Sequence, residues 1–386
     1  MAKKNIAILI IVILTACTRT QSNRDGAKRI NFNNISIFQI EELFSISKFN
    51  DDTFFSQISN VVVGHDKTIF VSDPRVSKIF MFDHEGTYLG YLGGEGRGPG
   101  EFTHIGAISL VAKDTLHVLD NSQMRITFFA KENGEWKSVK YFDAPESSWQ
   151  YGSDMVFKFN DLYPHSKGYL ARFTSSFTPV DTASRAYAYY ALHDYQMNSV
   201  NTQKYLMHTV SNTIVKRTDG RSVIVMQPPI GHKLFFDITS DGRMVSTWTK
   251  GNRITIQNVI TNDSSSFYFP SQKVFITDKE KDMLIENYIP DRGPTLIKKD
   301  EIEKRIPKYK RISQGLHVDE KDRIWIKTRP RIKDDPEWLM YGFKGELLGA
   351  AQHPGGEVLL IHNNRIYVRK MSPLGEPKLH VYDLIE

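Results

Sequence analysis

One phrase recurs along this chain: a turn, a β-rich strand, a second turn and another β-rich strand. Residues 66–73 read DKTIFVSD, followed by KIFMFD at 78–83 and HEGTYL at 84–89. Residues 114–120 read DTLHVLD, followed by RITFF at 125–129 and ENGEW at 132–136. DGRMVSTW at 241–248 leads to RITIQ at 253–257, and DRIWIK at 322–327 leads to WLMYGF at 338–343 and KGELL at 344–348. NNRIYV at 363–368 is followed by LHVYD at 379–383. Val, Ile, Phe, Tyr and Trp fill the strands, while Asp, Asn and Gly mark the hairpins.

One such unit cannot bury both of its faces alone, but several stacked around an axis can. Asp73 and Asp120, at matching points of two phrases, lie 47 positions apart. A repeat near that length with four short strands predicts an all-β fold of the β-propeller type. A repeat of this kind absorbs the 386 residues, 40% hydrophobic and 12% aromatic, in one body covering residues 30–386. Five units are legible. Residues 200–230 leave room for another, and the two ends of the chain can share one. Six blades is the expectation and seven the alternative. The alternating strand at Ile35–Ile40 is expected to pair with residues 357–383 and close the ring, which removes exposed edges.

Between the first two units lies Gly93–Phe102, GGEGRGPGEF. Five glycines and a proline in ten residues require tight turning. Together with DKTIFVSD and IFMFDHEGTYL, this loop resembles the six-bladed β-propeller lipoproteins related to the NHL-repeat family. Those carry a G-x-G-x-G-P-G-E-F loop after the outer strand of a blade. The resemblance is strongest over residues 58–130 and 310–386 and weak over 145–235. It implies a loop that crosses from one blade to the next. Arg97 and Glu101 are candidates there, either to fix the loop through backbone groups or each other, or to line the channel.

The N-terminus reads MAKKNIAILIIVILTAC. Lys3 and Lys4 precede an apolar run, Ile6–Leu14, too short to span a bilayer as a helix, which takes about 20 residues. Leu14-Thr15-Ala16-Cys17 resembles a bacterial lipobox. Residues 1–16 are therefore read as a signal peptide and Cys17 as the lipidated residue. Two or three acyl chains on it hold a protein durably on a membrane. Thr18 after the cysteine favours the outer membrane over inner-membrane retention. Residues 17–29 are a polar tether. Cys17 is the only cysteine, so no intrachain disulfide forms.

Residues 144–235 are irregular. Tyr187–Leu192 and Ser222–Met226 read as strands, and Ala144–Tyr151 and Thr174–Arg185 as longer loops. Binding residues gather on loops over a rigid scaffold, which singles out Trp149, Tyr151, Arg172 and Arg185. Residues 277–307 break the β pattern. Thr277 and Glu280 form a capping box, Met283, Leu284, Tyr288 and Ile289 follow at helical spacing, and Pro290 ends the helix. A second short helix is expected over Lys298–Ile306.

The formal net charge of +6 is scattered, and residues 1–16 carry two of those positive charges. No basic stripe with interleaved aromatics is present, so no nucleic-acid partner is expected. Neither G-x-S-x-G nor a phosphate loop with its lysine occurs. His117 and His317 sit inside strands and read as packed side chains. No metal or other cofactor is expected. The reading is a monomeric, lipid-anchored propeller of the bacterial cell envelope, a non-catalytic binding or scaffold module for a protein, peptide or glycan. The alternative is a metal-dependent hydrolase or lyase, lactonase-like, with ligands from different blades converging in the axial channel.

Overall fold

A computed structural model describes residue 32 and residues 35–49, 53–111, 115–145, 150–151, 155–165, 167–175, 186–200, 205–210, 214–218, 222–226, 230–288, 299–329 and 335–386. The strands form a six-bladed β-propeller. Blade 1 comprises Val61–Val63, Ile69–Asp73, Lys78–Phe82 and Tyr88–Gly93, from the axis outward. Blade 2 comprises Ile105–Val111, Thr115–Asp120, Arg125–Glu132 and Glu135–Asp143. Blade 3 comprises Met155–His165, Gly168–Ser175, Ala186–His193 and Tyr205–Val210, with the short strand Gln150–Tyr151 paired to Met155–His165. Blade 4 runs over Leu234–Ile238, Met244–Trp248, Arg253–Gln257 and Ser264–Tyr268. Blade 5 runs over Ser313–Val318, Ile324–Thr328, Trp338–Tyr341 and Leu347–Ala351.

Blade 6 joins the two ends of the chain. Glu357–His362, Arg365–Met371 and Pro377–Ile385 supply three strands, and Ser36–Ile46 supplies the outer one, antiparallel from Gln39↔Ile385 to Ile46↔Leu379. The expected closure is therefore present. The same strand begins one blade earlier, with Ser36–Phe38 parallel to Gly349–Ala351 of blade 5. The sixth unit is not at residues 200–230. Blade 3 covers residues 155–210, and Ile214–Thr218 with Ser222–Met226 is a separate hairpin.

The core is divided among the spaces between blades. Among the described residues six apolar clusters occur, one for each neighbouring pair around the ring. Alternate residues of one strand serve opposite neighbours. In blade 1, Ile69, Val71, Phe80 and Phe82 face blade 6, while Phe70 and Ile79 face blade 2. Both faces of a blade are buried, which explains why its middle strands read as unbroken apolar runs rather than alternating patterns. Each fully buried Phe or Ile contributes about 1.5–3 kcal/mol relative to exposure.

Successive strands run up and down, so the ring has two distinct faces. The hairpin face carries the turns from first to second and from third to fourth strand within a blade. Gly64–Thr68, Asp83–Thr87, Asp194–Asn198, Thr239–Arg243, Asp319–Arg323 and Gly342–Glu346 share one turn. In each, the first N–H reaches the fifth carbonyl and the fourth N–H the first carbonyl. The fourth residue has positive φ, as at Gly86, 85° at Gly242, and 58° at Asp322. Where the first residue is Asp, its carboxylate also accepts the third and fifth N–H groups, as in Asp83 and Asp319. That is the physical content of the recurring Asp and Gly in the sequence.

The loop face carries the crossings from each outer strand to the next inner one. Here the last residue of a second strand fixes the crossing. Asp73 is fully buried and accepts from Ser56 N–H at 2.7 Å and Gln57 N–H at 3.1 Å. Asp120, equally buried, accepts from the N–H groups of Thr103, Ser122 and Gln123. Burial pushes the Asp120 carboxyl up, and the hydrogen bonds from Gln123, Thr103 and Ser122 outweigh it and leave it below the ordinary value.

The helical insertion also stands on the loop face. Helix α1 (Asp278–Tyr288) is capped as expected: Thr277 N–H donates to Glu280 Oε2 and Glu280 N–H to Thr277 Oγ1. Helix α2 (Lys299–Glu303) is shorter than the expected Lys298–Ile306. The helical phase differs from expectation: Met283 is exposed, and Ile285, with Ile302 and Ile306, is buried. The bridge Phe275↔Tyr309 ties the base of the insertion.

Asp120→Ala strands several buried amides. It should lower the unfolding free energy by about 3 kcal/mol. Denaturant melts check this, and an unchanged midpoint would show that the crossing does not depend on the carboxylate.

Candidate functional site

The crossing at Gly93–Phe102 is built as a plug. Phe102 is fully buried between blades 1 and 2. Gly93 has φ 88°, and a Cβ there would lie 2.9 Å from the Phe102 ring. Glu101 Oε2 accepts from Gly98 N–H at 2.7 Å. Arg125 of blade 2 donates to the carbonyls of Arg97, Gly98 and Glu101. Arg97 and Glu101 are both exposed, and no ion pair joins them among the described residues. The loop thus crosses from blade 1 to blade 2, and Glu101 is used on its own turn.

Arg172 is not on a loop. It lies in the second strand of blade 3, opposite Asp161 and Tyr190 on the flanking strands. Its guanidinium donates to Asn160 Oδ1 at 3.0 Å and lies 5.5 Å from the Phe236 ring of blade 4. Asp161 accepts from Tyr163 OH and from Leu162 N–H, both at 2.9 Å. Burial pushes the Asp161 carboxyl up against the pull of Tyr163, Leu162 and the Arg172 charge. Arg172 Nε and Tyr190 OH are buried without a partner among the described residues. This polar group occupies the space between blades 3 and 4, where the apolar cluster is small. Trp149, Arg185 and Cys17 lie outside the described residues. Tyr151 belongs to the strand Gln150–Tyr151, and its side chain is outside those described.

The inner strands carry mainly apolar and aromatic residues, and Val62, Leu110, Phe235 and Leu360 among them are half-buried against the cores between blades. Polar groups there are tied to the scaffold. Ser109 Oγ contacts His117 Nε2, and burial pushes the His117 imidazole down to about 3. His317 lies against Trp338, and burial pushes it down to about 4. Asp237 of blade 4 accepts from Val318 N–H of blade 5 at 2.8 Å and from Ile238 N–H. Among the described residues, no three His, Cys, Asp or Glu side chains converge at a spacing that would hold a metal.

A cleft of about 760 Å³ opens on the loop face where blade 6 meets blade 1. Ser56, Gln57 and Ile58 line it from the crossing, Arg75 from blade 1, and Glu357, Arg369 and Met371 from blade 6. Arg369 donates to Ile58 O and pairs with Glu357, so it pins the seam. Lys370, also in the wall, donates to Tyr382 OH, which donates to Glu42 Oε2 at 2.9 Å. Arg75 is exposed. More cations stand nearby on blades 4 and 5. Arg311 Nε donates to Gly231 O and Arg329 Nε to Arg311 O. Burial and then Arg311 hold the Lys233 ammonium below its ordinary value. The sequence carries no local signal for this cleft, because its walls come from both ends of the chain.

The fold and this loop face define a six-bladed β-propeller with its open cleft at the closing seam. The chain belongs to the DUF5128 family of six-bladed β-propellers, whose family model matches residues 18–277. No curated protein matches the sequence. Solved structures resemble it in shape. A member of the DUF4221 family from Bacteroides vulgatus is 9% identical, with 90% of this chain and 98% of that one covered and a TM-score of 0.49. A protein from Bacteroides fragilis named as exported is 9% identical, covering 93% and 98%, with a TM-score of 0.48. Virginiamycin B lyase from Staphylococcus aureus is 11% identical, covering 90% and 100%, with a TM-score of 0.39. At such identity no activity passes from them to this chain.

Burial raises the Asp237 carboxyl from 3.8 to about 6. From about pH 4 to 6 the folded protein therefore holds a proton that the unfolded chain has lost, and stability falls as pH rises through that window. Asp237→Asn removes the effect and keeps an acceptor for Val318. The melting temperature of the variant should gain on the parent from about pH 4 to 7. A constant difference across that range would show that Asp237 does not titrate there.

Proposed function

We propose that the protein is a lipid-anchored propeller of the bacterial cell envelope that binds a partner on its loop face without catalysing a reaction. The observation that carries this reading is the cleft of about 760 Å³ at the seam. Its volume suits a ligand site. Arg369 and the Lys370–Tyr382–Glu42 chain hold its wall in place before anything binds, which lowers the ordering cost of association. The mainly apolar and aromatic axial strands fit a filled scaffold better than a channel of convergent carboxylates.

The anchor rests on Leu14–Cys17 and the polar stretch that follows. No described helix is long and apolar enough to cross a membrane. Phe32 and Ile35 pack against the core between blades 4 and 5, and the two outer strands of blade 5 meet at the turn Gly342–Glu346 on the hairpin face. Ser36 pairs with Gly349, just past that turn, so an anchor ahead of this strand would leave the cleft, on the loop face, directed away from the membrane.

Cys17→Ser should move the protein from the membrane fraction to the soluble fraction of the envelope; unchanged fractionation would overturn lipid anchoring. A photo-crosslinking amino acid at Gln57, in the cleft, should give a discrete adduct in cells. The same probe at Glu135, in the exposed turn of blade 2 on the hairpin face, should give none. Adducts from both positions, or from neither, would remove the cleft as the binding site.

A further inference from the structure

Resting on that binding reading, we propose that the seam cleft receives an acidic peptide segment. Its carboxylates meet Arg75 and Lys370, and an aliphatic side chain meets Met371. The charge balance points to an anionic ligand. Arg75, Arg369 and Lys370 line the cleft against one carboxylate, Glu357, and that carboxylate is already paired with Arg369. Arg75 and Lys370 keep N–H donors for a ligand. Lys370 is half-buried and held by Tyr382, so its ammonium is ordered in advance and loses little freedom on binding.

The surplus of cations continues beyond the cleft. Burial and then the charge of Lys327 depress the His353 imidazole, partly offset by Glu337, and Lys370 depresses it further. Lys327 of blade 5 is paired with Glu337 at 3.5 Å, and Lys370 of blade 6 lines the cleft. Lys233, Arg311 and Arg329 add cations toward blade 4, with Glu357 facing Lys233 and Glu280 and Glu337 facing Arg329. A chain with several carboxylates spans such a belt, whereas a single small anion does not. Opposite charge on this scale speeds encounter and selects partners.

The rest of the lining favours a peptide over other polyanions. Ile58 and Pro377 are buried beneath the cleft, and Met371, 59% exposed, offers its aliphatic side chain to a ligand. It suits a branched side chain set between acidic ones. Sugar rings pack on flat aromatic platforms, and no aromatic ring is among the residues that line this cleft. Gly375 at its rim has φ 83° with open space where a Cβ would stand, so a backbone can approach closely. With the anchor proposed above, anionic lipid headgroups would lie on the other side of the ring, where Ser36 enters it.

The test is fluorescence anisotropy on the full-length protein in neutral detergent. The probes are a labelled peptide of alternating glutamate and leucine, its glutamine counterpart, and an oligogalacturonate. The glutamate peptide should bind, and affinity should fall about tenfold or more as salt rises from about 50 to 500 mM. Arg75→Glu, at an exposed position, should weaken it about tenfold or more, and Arg253→Glu, exposed on blade 4, should not. Equal binding of the glutamine peptide, or unchanged affinity in Arg75→Glu, would overturn the proposal. So would binding of the oligogalacturonate without the peptide. A Gln57 adduct in cells with no affinity for the acidic peptide would overturn the peptide chemistry and leave the binding reading standing. Loss of both would remove both.

Discussion

A blade with two apolar faces cannot exist without a neighbour on each side, and every other feature of this molecule answers to that. Phe70 and Val71 are adjacent in one strand, fully buried, and belong to different cores. The same holds for Met340 and Tyr341 in blade 5. A row of such sheets has two unprotected ends, and only a ring removes both. The strand Ser36–Ile46 makes the ring by touching blade 5 with its first residues and blade 6 with the rest. Phe38 enters the core between blades 5 and 6, and Ile46 the core between blades 6 and 1. One strand therefore contributes to the burial of two interfaces.

Polar groups are distributed by the same logic. On the hairpin face they stitch one blade to the next: Lys131 to Asp66, Ser240 to Asp322, Arg323 to Asn364, and Arg365 to His84 O. On the loop face, buried Asp73 and Asp120 hold the crossings from below. The exposed surface above them is left for loops of differing length and charge. Rigid support under a variable surface is the arrangement in which binding residues are held in place at little cost to the fold. The pair Asp161 and Arg172 differs, since it stands inside the ring between blades 3 and 4. Buried ionic groups of that kind add little net stability.

Five blades were legible because their strands are short, bounded by Asp or Gly turns, and apolar on both faces. Blade 3 was not. Its inner strand, Met155–His165, is long, carries Lys158, Asn160, Asp161 and Pro164, and ends without the Asp or Asn that marks the first hairpin of the other blades. The register shift between Phe159 and Asp161 breaks the alternation further. Arg172 was noticed for the wrong reason: reading the region as loop placed it on the surface, whereas it pairs across the sheet. In α1, Met283 and Leu284 have the right spacing, yet Ile285 one step on is the buried residue, because a single turn of apolar side chains does not fix the phase of a short helix. The cleft was illegible on principle. Ser56 and Glu357 meet only because the ring closes, and no local pattern encodes a meeting between the ends of a chain.

The closing strand also sets a timetable. Ile46 pairs with Leu379 and Gln39 with Ile385, so the first strand made is completed by the last. Joining segments so far apart in sequence carries a loop-closure cost on the order of 5 kcal/mol before any contact offsets it. Non-local pairing of this kind slows folding. Until residues 377–385 have left the ribosome, residues 39–46 lack their partner strand, and blade 1 lacks one of its faces. No intrachain disulfide can hold the ends together in the meantime, because Cys17 is the only cysteine. The interval between the first strand and the last is when this chain is most open to chaperones, proteases and pairing with the wrong edge.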